Sequence, residues 1–76
     1  MNMMKTPIQD CIKGLNLNIL DEHYGINEST IITNSYDTAY KISDNVSRFL
    51  KYALKIKTGI KKVGKYYIIR FYKEAV

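Results

Sequence analysis

Between residues 39 and 56, Ala39, Ile42, Val46, Phe49, Ala53 and Ile56 recur at intervals of 3, 4, 3, 4 and 3. Such a series lines one face of an α-helix with 3.6 residues per turn. Leu50 widens the stripe. The pattern predicts one unbroken helix of about five turns, with Ser35 or Asp37 as its N-cap. It also makes Ala39, Ile42, Val46, Phe49, Leu50 and Ala53 the expected core positions. A helix with such a stripe is stable only against a second apolar surface, so the remainder of the chain must supply one.

The segment after the stripe has the period of a sheet. Gly64-Lys65 suits a two-residue hairpin turn with glycine first. That turn sets Val63 opposite Tyr66, Ile60 opposite Ile69 and Gly59 opposite Arg70. Tyr67, Ile69 and Phe71 then share a face with Ile60, while Tyr66, Ile68, Arg70 and Tyr72 share the other with Lys57 and Lys61. Earlier in the chain, residues 15–20 alternate apolar and polar side chains and predict a strand. Residues 21–28, DEHYGINE, read as a loop. Residues 29–33 are rich in β-branched side chains and predict a strand that pairs back on the first. At the N-terminus, Thr6, Pro7 and Gln9 form a helix-start signature. Ile8, Cys11, Ile12 and Leu15 make an apolar face, and Gly14 allows a left-handed stop, so a short helix is expected over about 7–13. The sum is an α+β fold in the order α-β-β-α-β-β. It is a four-stranded, mostly antiparallel sheet covered by one long helix and a short N-terminal helix.

Residues 39–50, AYKISDNVSRFL, offer a different parse. Ala39, Ile42-Ser43, Val46-Ser47-Arg48 and Leu50 resemble the centre of a helix-turn-helix repressor. The resemblance covers about twelve residues. It implies two helices joined by a turn at 43–45 and, with the basic hairpin behind them, a winged helix-turn-helix that binds DNA. The turn would interrupt the apolar stripe. The glycine usual in that turn is absent, and the spacing between the two motif halves is one residue short.

Seventy-six residues form one domain, spanning 1–76. A chain of this size buries only about 60% of its unfolded surface, so its core is small. With Cys11 alone, no intrachain disulfide forms. No apolar run has the roughly 20 residues of a membrane helix, and residues 1–10 lack the apolar stretch of a signal peptide. A cytoplasmic protein without membrane contact is therefore expected. Ile, Lys, Asn and Tyr supply 34 of the 76 residues, a bias that suggests an AT-rich genome, such as that of a phage or another mobile element.

Charge is distributed unevenly. Residues 1–45 carry three lysines against six carboxylates, whereas residues 46–76 carry nine Lys and Arg against Glu74 alone. A chain polarised in this way expects a partner of opposite charge. Arg48, Lys51, Tyr52 and Lys55 fall at i, i+3, i+4 and i+7 on the long helix. Lys57, Lys61, Lys62, Lys65, Tyr66, Arg70 and Tyr72 come from the hairpin. Lys and Arg neutralise phosphates and tyrosine rings stack on bases, so these eleven residues are the candidate nucleic-acid-binding set. If the helix lies on the Tyr67, Ile69 and Phe71 face, however, its basic side points away from the sheet, and the two groups of residues separate.

The expected function is thus that of a small non-catalytic nucleic-acid-binding protein, with DNA ahead of RNA as the polymer, acting for instance as a regulator. The alternative is a protein-binding module, such as an inhibitor of a host enzyme or defence complex. It would dock through the acidic segment 21–37 or through the basic half on an acidic surface. A homodimer is compatible with either. Nothing in the chain calls for a cofactor or a metal. His23 follows Asp21 and Glu22 but has no second histidine to share a metal, so it reads as part of a solvated loop. Cys11 lies on an apolar helix face, where a thiol is packing material. The glycines never cluster into a phosphate loop, so no catalytic residues are expected.

Overall fold

In a computed structural model, which describes residues 4–52 and 54–73, the elements run in the order anticipated. They are α1 (Lys5–Ile12), β1 (Ile19–Tyr24), β2 (Glu28–Thr33), α2 (Tyr36–Leu50), β3 (Ile56–Val63) and β4 (Tyr66–Lys73). The four strands form one antiparallel sheet in the order β1-β2-β4-β3. Two local hairpins, β1–β2 and β3–β4, are therefore joined edge to edge along β2 and β4. The winged helix-turn-helix parse is overturned, because α2 runs through residues 43–45 without a turn.

The stripe on α2 explains its position. Ala39, Ile42, Val46 and Leu50 are buried together with Ile31, Ile69 and Phe71 from the sheet centre. Ser35 caps the helix, its hydroxyl accepting from the Thr38 N–H at 3.3 Å. α1 closes the same core with Met4, Ile8 and Ile12. Met4 is the N-cap: its carbonyl accepts the Ile8 N–H at 3.1 Å, and its side chain makes no capping bond. Thr6, the expected cap, instead lies inside the helix. Leu15, expected on the apolar face of that helix, is 37% exposed beyond Gly14. The helix ends where the C-cap Lys13 turns extended, and Gly14 with its left-handed φ of +86° closes the turn in which the Leu15 N–H donates to the Ile12 carbonyl at 3.2 Å.

Three expectations need correction. First, α2 stops at Leu50, after fifteen residues. One more helical bond, Leu54 N–H to the Leu50 carbonyl, follows before Lys55 adopts φ +55° and turns the chain back. Ile56, the last residue of the stripe, thus enters the core as the start of β3 and not as helix. Ala53 falls outside the described residues. Second, Phe49 is 59% exposed. Leu50 occupies the inward position one residue on, and Phe49 is turned toward α1, on the rim of a shallow groove with Pro7, Asp10 and Cys11. Third, the first strand lies later than its alternation indicates. It includes Asp21, Glu22, His23 and Tyr24, and only residues 25–27 form the turn. β1 is a sheet edge and buries little, so polar side chains suit it and the period of two disappears. A register shift between Ile19 and Asp21 sets Leu20 outside the ladder.

The hairpin register agrees residue for residue with the pairing set by Gly64-Lys65. Val63 faces Tyr66, Ile60 faces Ile69 and Gly59 faces Arg70. Gly64 has φ +61°, while Lys65 stays out of the left-handed region, as a glycine-first turn requires.

Burial sets the energetic order. Ile42 is fully buried, so Ile42→Ala should cost about 2–5 kcal/mol. Phe49→Ala, at a mostly exposed position, should cost less than about 1 kcal/mol. Urea unfolding of both variants checks the order, and a larger loss at Phe49 would mean that the helix is rotated from the phase described here.

Candidate functional site

Because both helices cover one face of the sheet, three kinds of surface remain: the open sheet face, the two edges, and the outer sides of the helices. The eleven candidate residues are divided among them. All eight basic ones are exposed, yet they do not form one continuous site.

Where α2 ends, the chain assembles a cleft. Lys51 is the helix C-cap, with its N–H on the Ser47 carbonyl at 3.3 Å. The left-handed bend at Lys55 then folds the connector back beside the first residues of β3. Lys51, Tyr52, Lys55 and Lys57 line a cleft of about 310 Å³. A second cleft of about 210 Å³ shares Lys51 and Lys57 and is lined also by Ser47, Ile56, Thr58 and Tyr72. Lys51, Tyr52 and Lys55 thus lie beyond the helix on which sequence spacing places them. This early stop brings them to Lys57 and avoids the separation that an extended helix would have imposed. Tyr52 is 83% exposed, with the Lys51 ammonium 5.7 Å from its ring centroid.

Lys61, Lys62, Lys65 and Tyr66 form a second group at the hairpin tip; Lys61 and Lys62 lie roughly 13–17 Å along β3 from Lys57 at about 3.3 Å per residue. Lys65 sits 5.6 Å from the Tyr66 ring centre, and Lys62 sits 5.9 Å from that of Tyr67. Among the described residues β3 pairs only with β4, which makes it an edge of the sheet, and the two lysine groups lie at its two ends. Between Lys51 and Lys73 the chain contains no carboxylate.

The two arginines behave differently. Arg48 is bound to Asp44 at 2.8 Å, one helical turn away. Arg70 donates to the Glu28 carboxylate, Nε at 3.0 Å and a second contact through Nη2, across the open sheet face. Its guanidinium also lies 5.4 Å from the Tyr72 ring centre. The Glu28 carboxylate holds the guanidinium even more firmly protonated than usual. Arg48 and Arg70 therefore have neutralising partners within the protein. The exposed Lys51, Lys55, Lys61, Lys62 and Lys65 are the better candidates for an external anion.

The other chemically suggestive residues are local. His23 Nε2 lies 2.9 Å from Asp21. The two are on alternate residues of strand β1, not in the expected loop. This contact and the Glu22 N–H hold the Asp21 carboxyl below the usual carboxylate range. Glu22 faces the other way and accepts from the Tyr24 hydroxyl. Burial and this carboxylate push the Tyr24 phenol up. Among the described residues no group of three or more His, Cys, Asp or Glu side chains is placed to hold a metal, and no helix is long and apolar enough to cross a membrane.

No known protein family matches this sequence, and no curated protein or solved structure shows significant similarity to it.

Partial burial, and to a lesser degree the nearby Asp10 carboxylate, raise the pKa of the Cys11 thiol. The thiolate is the reactive form, so less of it is present at a given pH. In the folded protein, Cys11 should therefore be alkylated by iodoacetamide near neutral pH several-fold more slowly than a free cysteine peptide, and urea should abolish the difference. Reaction at or above the peptide rate would contradict the packing assigned to this thiol.

Proposed function

We propose that the protein is a non-catalytic nucleic-acid-binding protein whose phosphate contacts come from the β3 edge and the connector before it. The observation that carries the reading is the run of exposed lysines at 51, 55, 57, 61, 62 and 65, in a stretch without carboxylates and beside exposed tyrosines. Two arginines that could have joined them are instead matched with Asp44 and Glu28. Phosphates reward several positive groups presented together, because each neutralised phosphate releases condensed counterions. A lysine edge also discourages sheet-to-sheet aggregation, but that does not account for Lys51 and Lys55, which lie outside the strand and converge with Lys57 on a cleft.

Fluorescence titration with random-sequence DNA and RNA tests the proposal. If six phosphates are engaged, affinity should fall about a thousandfold between roughly 50 and 200 mM salt. Lys51→Glu, Lys55→Glu and Lys57→Glu together should abolish binding. Lys61→Glu, Lys62→Glu and Lys65→Glu together should weaken it strongly while the melting temperature hardly moves, because these side chains bury little. If the intact protein binds neither polymer at tens of micromolar in about 50 mM salt, the reading fails. An acidic protein surface would then be the partner to seek.

A further inference from the structure

At the hairpin-tip end of the domain, on the helix side of the sheet, Tyr36 and Tyr40 are 58% and 56% exposed. Their rings stack with centroids 6.5 Å apart and planes 28° apart. Tyr36 also meets Tyr67 edge-on at 5.5 Å, and Lys62 lies over the Tyr67 ring. We propose that this cluster is a stacking platform for unpaired bases, so that the polymer bound is single-stranded; the proposal rests on the nucleic-acid reading of the lysine edge.

Three features carry it. The first is rigidity. Tyr36 and Tyr40 are one helical turn apart on a capped helix, and Tyr36 is braced by the sheet through Tyr67. Large rings held open to solvent without being buried bind partners at small entropic cost. The second is the charge beside them. Lys62, opposite Tyr67 on the same face of the hairpin, sets its ammonium 5.9 Å from that ring centre, so a ring that accepts a base has a cation nearby for an adjoining phosphate. The third is continuity with the cleft. On α2, the stripe that begins with Tyr36 and Tyr40 continues through Ser43, whose hydroxyl is 3.1 Å from that of Thr58 on β3, to Ser47 on the wall of the second cleft. The helix carboxylates Asp37 and Asp44 occupy a different stripe and are paired with Lys41 and Arg48. A strand lying along the α2–β3 boundary would thus pass from tyrosine rings to lysines without crossing a carboxylate of the helix. A duplex, with its bases stacked inside, could use the lysines and leave the rings unused.

The test compares a labelled single-stranded oligonucleotide of about 16 nucleotides with a duplex of equal length at roughly 50 mM salt. The intact protein should bind the single strand about tenfold or more tightly than the duplex, and its tyrosine fluorescence should be quenched on binding. Tyr40→Ala should weaken single-strand binding about five- to hundredfold, while Tyr40→Phe, which keeps the ring, should retain it. Duplex binding should be equal in all three proteins. If the duplex binds as tightly as the single strand, or if a folded Tyr40→Ala binds the single strand unchanged, the platform is refuted and the nucleic-acid reading survives. If neither polymer binds the intact protein, both fall together. The single-strand preference is measured on the unaltered chain, so the test does not depend on how a variant folds.

Discussion

The seam between β2 and β4, covered by α2, is the contact on which the remainder of the structure depends. Ile31 faces Ile69 and Ser29 faces Phe71 across it, and all four are buried. Ala39, Ile42 and Val46 lie over them from the helix. Neither hairpin has a core of its own. An isolated two-stranded hairpin is marginal in water at best, and a helix of fifteen residues is no better without packing. Each element is stable because the seam brings the others to it.

A core placed on the central strands leaves the edges to other purposes. Among the described residues β1 and β3 are the outer strands of the sheet, and their side chains have opposite character: Asp21, Glu22 and His23 on β1, and Lys57, Lys61 and Lys62 on β3. Charges on an edge cost little and keep it from recruiting further strands. The charge polarity of the sequence thus becomes a polarity across the sheet. The lysine side also receives the connector, whose bend at Lys55 adopts a left-handed conformation that costs a non-glycine residue roughly 1–2 kcal/mol. That bend is what sets Lys51 and Lys55 beside Lys57.

Much of this was legible in the residues, and the failures have physical causes. The β3–β4 register follows from Gly64-Lys65 because a two-residue turn leaves a hairpin no freedom to slide. The element order follows from one stretch of helical period set among stretches of alternating period. Phe49 misled because both it and Leu50 extend the series from Ala39, Ile42 and Val46, and only the contact with the sheet decides between them. The strand at residues 19–24 was hidden because an edge strand that buries almost nothing has no apolar alternation to show. At the candidate site, the Arg48–Asp44 pair could have been read from its i, i+4 spacing. The Arg70–Glu28 pair could not, because its partners are 42 residues apart and meet only through the seam. Tyr36 and Tyr40 were passed over because they lie off both the apolar stripe and the basic series.

The strand order has a kinetic consequence. Each hairpin joins near neighbours in sequence and closes a short loop, an event of roughly 1–10 μs. The β2–β4 seam joins Ser29 to Phe71 and must gather everything between them, at a loop-closure cost that rises slowly with length. Only that step brings the two halves of the core together. The folding barrier should therefore consist mainly in docking two preformed ribbons with α2 between them. Substitutions at Ile31 or Ile69 should slow folding, whereas changes in the lysine edge should leave the folding rate nearly untouched. The lysine edge is in this way kinetically separate from the surface that builds the protein.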